Sequence, residues 1–135
     1  MITDKIGLIT DYNKLITDNG SIRDEMGRLI TEKLPYPCID DFNLLNEELQ
    51  QRLYAISKPA REKRRLPNEA MDKIILELCK GHFIPLSTIA MLVDRTAQNI
   101  REKQLSPLVE LGKMSMAFPH AKRHKKQGYI TISQP

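Results

Sequence analysis

The sequence has no tryptophan, 5% aromatic residues and two cysteines, Cys38 and Cys79. Each scarcity excludes something. Recognition of single-stranded RNA recruits exposed aromatics that stack on bases, so this aromatic complement argues against RNA as the partner. Two cysteines make no disulfide framework, and a reduced, cytoplasmic setting is expected. No run approaches the ~18 consecutive apolar residues of a membrane span. Residues Met1 to Thr10, interrupted by Asp4, lack the apolar stretch of a signal peptide. No membrane partner is expected. A Gly-rich phosphate loop, a Ser/His/Asp set and paired carboxylates in an identifiable cleft are also missing. The pair Asp40-Asp41 reads more simply as a helix cap. At 135 residues a deep substrate pocket is not expected. The chain is therefore expected to be no enzyme, with no catalytic residue and no cofactor.

What is present is a foldable core and an uneven charge. Hydrophobic residues make up 41% of the chain, enough to bury a core. The net charge is +4, but it is not spread evenly. Residues 1–57 hold six Lys/Arg against ten Asp/Glu, residues 58–65 five against one, and residues 66–135 ten against six. An acidic front and a basic back point to a polyanion partner for the back. A surface charged for solubility is the plainer reading.

Residues 1–57 read as a helical N-terminal region. Ile2, Ile6, Ile9 and Ile16 make a short apolar stripe, and Asp18-Asn19-Gly20-Ser21 a turn. Ser21 with Asp24 resembles a capping box, predicting a helix through Ile22, Met26, Leu29 and Ile30 that Leu34-Pro35-Tyr36-Pro37 ends. Asp40 or Asp41 then caps a second helix with Phe42, Leu45, Leu49, Leu53 and Ile56 on its apolar face. Two heptads are too few for a coiled-coil seam, so packing on neighbouring elements is the plainer use of that face. A homodimer through helix 41–57 is the alternative use. Residues 58–65, with Pro59 and a charge run, read as a basic linker or as an arm touching phosphates.

Residues 66–135 show a definite order. A helix starts near Pro67-Asn68, with Asn68 as N-cap, carries Ala70, Ile74, Ile75, Leu78 and Cys79 on one face, and stops at Lys80-Gly81. His82-Phe83-Ile84 is extended. Pro85-Leu86-Ser87 opens a second helix with Ile89, Ala90 and Val93 inward. Asp94-Arg95-Thr96 is a tight turn into a third, with Ala97, Ile100, Gln104, Leu108 and Leu111 along one side, ended by Gly112. Lys113 to Phe118 alternates polar and apolar, as a strand does. Pro119 to Gly128 is a basic loop, and Tyr129-Ile130-Thr131-Ile132 a second strand. That order is a winged helix-turn-helix: mainly α, with a small β-hairpin wing.

On helix 95–111, Arg95, Gln98, Asn99, Glu102 and Ser106 are expected to point outward, with Arg101 and Lys103 on the flanks. Gln and Asn pair bidentately with adenine edges, Arg with guanine; Lys and flanking Arg suit phosphates. In the wing 119–128, Lys122, Arg123, Lys125 and Lys126 put four permanent charges within five positions. Their mutual repulsion would be relieved by a polyanion. An ordinary polar helix face and a solvated loop are the plainer readings of the two segments. Cys79-x-x-His82 and His120-x-x-x-His124 have zinc-like local spacing. Cys79, however, continues an apolar stripe and the wing histidines sit among cations, so no metal is expected.

The runs Ile75-Leu76-Glu77-Leu78-Cys79, Leu86 to Leu92, Asn99 to Val109 and Lys126-Gln127-Gly128-Tyr129 give the segment from about Leu66 to Thr131 a resemblance. It is similar to the winged-helix domain at the C-terminal end of bacterial ATP-binding transcriptional regulators of the divergent AAA, Schlafen/AlbA-like or RecG-helicase-like type. The resemblance covers about half the chain and not residues 1–57. It implies a DNA-binding role, with Arg101 and Lys103 matching the family's basic pair on the third helix and Lys126 its wing lysine. The chain departs from the pattern at Asn99 and Gln104, where the family has aromatics, and lacks the ATP-binding portion, so ATP-linked activity does not carry over. A cytoplasmic DNA-binding protein is expected, a transcriptional regulator with helix 95–111 in the major groove of duplex DNA and the wing on its backbone. A winged-helix interaction module of a larger, ATPase-linked protein assembly is the alternative.

Overall fold

The computed structural model describes residues 22–132. The apolar stripe Ile2 to Ile16 and the turn at residues 18–21 lie outside them. Helices and two small antiparallel sheets build the described chain, a more mixed composition than the mainly helical one expected.

The first correction falls at residues 22–30. They form a hairpin, β1 (Ile22–Arg23) and β2 (Leu29–Ile30), where a helix is expected. Asp24 decides it. Its carboxylate accepts from the backbone N–H groups of Met26 (3.0 Å) and Arg28 (2.9 Å) and from Arg28 Nε (2.8 Å), clasping the loop instead of capping a helix. Gly27 closes the turn at φ 87° and lies so near the Leu44 carbonyl that any Cβ would be 2.1 Å from it. Two long-range contacts pin the hairpin. Arg23 bonds both oxygens of Asp40 at 2.8 Å, and Arg28 Nη1 reaches His82 Nδ1 at 3.1 Å.

Cys38 then joins the two sheets. Its backbone exchanges bonds with Leu29 (2.7 and 2.8 Å), and on the other side it bridges Phe83. Asp41 caps only a short 3-10 turn, Phe42–Leu44. Leu45 is extended, and the long helix α1 (Glu47–Glu62) starts later than expected, from an Asn46 cap whose Oδ1 accepts from Leu49 N–H at 2.8 Å. Glu47 and Glu48 in its first turn suit the helix dipole. α1 runs through Pro59 and five residues into the stretch read as a linker. Pro59 removes a helix N–H. Nearby, buried Ser57 donates to the Leu53 carbonyl at 2.8 Å and Arg61 to the Tyr54 carbonyl at 2.8 Å.

α2 (Asn68–Leu78) begins one residue from the expected place, with Pro67 at the cap position. Asn68 does not cap; its Oδ1 accepts from Gln104 Nε2 at 3.1 Å. β3 (Ile84–Pro85) and α3 (Leu86–Val93) follow, and Asp94 takes the left-handed conformation, φ 56°, that turns the chain. The next helical run has three parts: α4 (Ala97–Ile100), a π-helical turn Arg101–Leu105, and α5 (Ser106–Glu110). Pro107, with no N–H to give, stands two residues past the wide turn. That turn brings Leu105 into the core beside Gln104. The run ends before Leu111, which is 69% exposed instead of facing inward as expected. β4 (Met114–Met116) and β5 (Gly128–Thr131) close the chain, and the sheet order is β3-β5-β4. Pro85 sits on an edge strand, where a missing N–H costs no ladder bond.

One buried cluster spans α1, α2, α3 and the following helix: Leu49 and Leu53, Ile75 and Leu78, Ile89 and Leu92, Ile100 and Leu105. The apolar face of helix 41–57 is therefore occupied inside the chain. Of its large apolar side chains only Leu44 and Tyr54 remain exposed for a second copy. A smaller cluster, Cys38, Phe83 and Ile130, underlies the hairpin. No helix among the described residues is long and apolar enough to cross a membrane.

Candidate nucleic-acid interface

Thr96 starts the helical run that carries the proposed contacts, its Oγ1 accepting from Asn99 N–H at 3.1 Å. Ile100, Gln104, Leu105 and Leu108 anchor the run. With that side fixed, Gln98, Asn99, Glu102, Lys103 and Ser106 are exposed. Gln98 Nε2 donates to Glu102 Oε2 at 3.1 Å, so the glutamate is partly engaged on its own helix. Arg101 lies half-buried at the flank.

Arg95 is not on this face. Its guanidinium donates to the carbonyls of Ala60 (3.0 Å), Val93 (2.9 Å), Asp94 (3.1 Å), Lys63 (2.8 Å) and Arg64 (3.2 Å). These include carbonyls at the end of α1, which a cation suits. Arg95 thus ties the α3 turn to α1, and its expected contact with nucleic acid gives way to that task. The basic stretch is also divided. Arg61 donates to the Leu92 carbonyl at 3.0 Å and lies 5.1 Å from the centre of the Tyr54 ring, whereas Lys63, Arg64 and Arg65 are exposed.

The loop from Ala117 to Gln127, between β4 and β5, is a chain of tight turns. N–H groups of Ala121, His124 and Gln127 bond the carbonyls of Phe118, Ala121 and His124 at 2.8–3.0 Å. Its organiser is Gln127, 6% exposed. Gln127 Oε1 accepts from Phe118 N–H at 2.8 Å, while Nε2 donates to the carbonyls of Phe118 (2.9 Å), Ala121 (3.2 Å) and Lys122 (3.3 Å). The His124 ring stacks on Phe118 at 4.0 Å, and its Nδ1 accepts from Lys126 N–H at 2.9 Å, which places its proton on Nε2. The turns thus project Lys122, Arg123, Lys125 and Lys126 outward, all exposed.

The chain folds these parts toward one another. Arg101, Lys122, Arg123 and Lys125 line a cleft of about 360 Å³, together with His124 and the start of α3. No carboxylate lines it, and none of the four cations is in an ion pair among the described residues. Tyr129 lies at its edge; burial pushes the phenol pKa up, and the nearby Arg101 charge pulls against that. Lys126 and Lys103 stand outside the cleft, as do Gln98 and Asn99.

Protein-family models, curated proteins and solved structures gave no match. The chemistry of the surface carries the reading.

The zinc-like spacings resolve into other roles. Cys79 is fully buried, which raises its thiol pKa, and burial pushes Cys38 up to about 11. Both ring nitrogens of His82 are engaged, Nε2 donating to the Leu78 carbonyl at 2.9 Å and Nδ1 facing Arg28. Among the described residues no three His, Cys, Asp or Glu side chains come together as a metal site. Sequence reasoning missed Gln127 and the start of α3 as parts of the site. The available signal was a glutamine set between a cation run and a glycine; nothing local marks Pro85-Leu86-Ser87.

Proposed function

We propose that residues 66–132 act as a winged helix-turn-helix that binds double-stranded DNA in a transcription-regulating role. The outward face of the helical run 97–110 lies toward the major groove, and the β4–β5 loop is the wing on the backbone. The observation that carries this reading is the convergence of Arg101 with Lys122, Arg123 and Lys125 on one surface without a counter-charge. Such a surface raises the local concentration of a polyanion, and each cation that meets a phosphate releases a condensed counter-ion. Gln98 and Asn99, exposed beside it, are side chains able to read base edges. The face they share with Lys103 and Ser106 is polar, which favours nucleic acid over docking to a protein.

The test is fluorescence anisotropy with a random 20-base-pair duplex across a salt series, comparing wild type with a variant in which Lys122, Arg123, Lys125 and Lys126 are alanine. About five phosphate contacts give a log–log salt slope of about −4 to −5, and the variant should flatten it to near −1. No binding by the wild type at low salt refutes the proposal.

A further inference from the structure

The cleft between α3, Arg101 and the loop has an uncharged side as well as a charged one. Pro85, Leu86 and Ala97 offer apolar surface, and Ser87 and Tyr129 complete the uncharged lining. At about 360 Å³ the cleft exceeds what one backbone phosphate fills and falls in the small-molecule range of roughly 300–1,000 Å³. Four permanent cations converge there, no carboxylate joins them, and no ion pair among the described residues neutralises any of them. Repulsion among them is relieved only by solvent ions or a bound anion. The first turn of α3, which has no side-chain cap, opens on the same space and adds its dipole to the positive field.

We propose that this cleft binds a small phosphorylated ligand of about nucleoside-monophosphate size. The phosphate sits among Arg101, Lys122, Arg123 and Lys125, and the uncharged body lies on Pro85, Leu86 and Ala97. The site itself does not depend on DNA binding. One consequence rests on that reading: the same cations are proposed to meet the duplex, so ligand and duplex exclude each other, and the ligand acts as an effector that releases DNA.

The experiment is calorimetric titration of the full chain with adenosine 5′-monophosphate, inorganic phosphate and adenosine, at matched ionic strength. The monophosphate is expected to bind saturably at one site, phosphate more weakly and adenosine not at all. Arg101→Ala and the exposed Arg123→Ala should each weaken the monophosphate about tenfold, while Lys73→Ala, exposed and outside the cleft, leaves it unchanged. Absence of saturable monophosphate binding at millimolar concentration overturns the site, and so does equal binding by Arg123→Ala. Duplex binding is measured separately, without monophosphate, by anisotropy. Duplex binding without monophosphate binding sinks the ligand site and leaves the DNA reading standing, with backbone phosphate as the anion the cleft meets. The converse sinks the DNA reading and supports the ligand site. Where both bind, the monophosphate must displace the duplex beyond the effect of sulfate at equal ionic strength; simultaneous binding overturns the effector role.

Discussion

Replacing Gln127 with alanine should loosen the basic loop without touching a single one of its charges. In the folded chain the Gln127 amide accepts from Phe118 N–H and donates to three loop carbonyls. Alanine removes all four bonds. The carbonyls of Ala121 and Lys122 belong to exposed residues and can turn to water, so their loss is nearly neutral. Phe118 is half-buried; its C=O keeps the bond from Ala121 N–H at 3.0 Å, but its N–H loses its partner and has poor access to solvent. An unmade buried group costs about 1–3 kcal/mol; partial exposure puts the net near the lower end, about 1–2 kcal/mol. With a urea dependence of about 2 kcal/mol per molar, the unfolding midpoint should fall by roughly 0.5–1 M. Amide hydrogen exchange supplies the local readout: the Phe118 amide, protected in the wild type, should exchange much faster in the variant, while Ile100 and Ile75 in the core keep their relative protection. An unchanged midpoint together with an unchanged Phe118 amide would refute the argument that one side chain holds the loop in shape.

Three further outcomes follow from the geometry. Burial above all, helped by the Arg28 and Arg52 charges and opposed by the Leu78 carbonyl and Asp24, lowers the pKa of His82 from 6.5 to about 4. The unfolded chain therefore takes up a proton there before the folded one does. Stability should be full above about pH 6.5 and decline as pH falls toward 4, by on the order of 3 kcal/mol at most; His82→Gln should show a flatter curve in urea titrations over that range, and parallel curves would count against it. Arg95→Lys cannot reproduce a fork that spans five carbonyls. It should lower stability by roughly 1–3 kcal/mol yet leave the salt slope of duplex binding as it was, whereas a change in slope would return Arg95 to the interface. Gly27→Ala meets both a left-handed backbone and the Leu44 carbonyl, so it should cost at least about 1–2 kcal/mol by thermal unfolding; a neutral result would mean that the hairpin is not seated as described.

The second half of the chain was legible because its elements are marked by local chemistry. Helical periodicity locates α2 and α3, Gly81 and Asp94 sit at turns, alternation locates β4, and β-branched and aromatic residues locate β5. The first described segment was not legible. Ile22, Met26, Leu29 and Ile30 suit a helix as well as a hairpin, and the contacts that decide between them, Arg23 with Asp40 and Arg28 with His82, join residues far apart in sequence. The late start of α1 was half-visible: Asp41 and Asn46 are both good caps, and only the extended Leu45 between them separates the short turn from the helix. Arg95 was misplaced because a sequence displays its charge and not the carbonyls that surround it. On the helix face the polar residues were legible, since they follow from the buried side. The cleft was not, because it forms only where the β4–β5 loop returns over the start of α3.

The π-helical turn Arg101–Leu105 has a consequence for length variation in this chain. A wide turn holds one residue more than an α-helical turn needs. Deleting a residue from an ordinary helix rotates everything beyond it by about 100°, which would swing Leu108 out of the core and carry β4 with it. Deleting the exposed Lys103 lets the wide turn close to a regular one, while Ile100 before it and Leu108 after it keep facing inward. The segment between the two buried anchors is thus a place where a descendant chain can lose a residue and keep its fold, changing only which side chains the helix exposes.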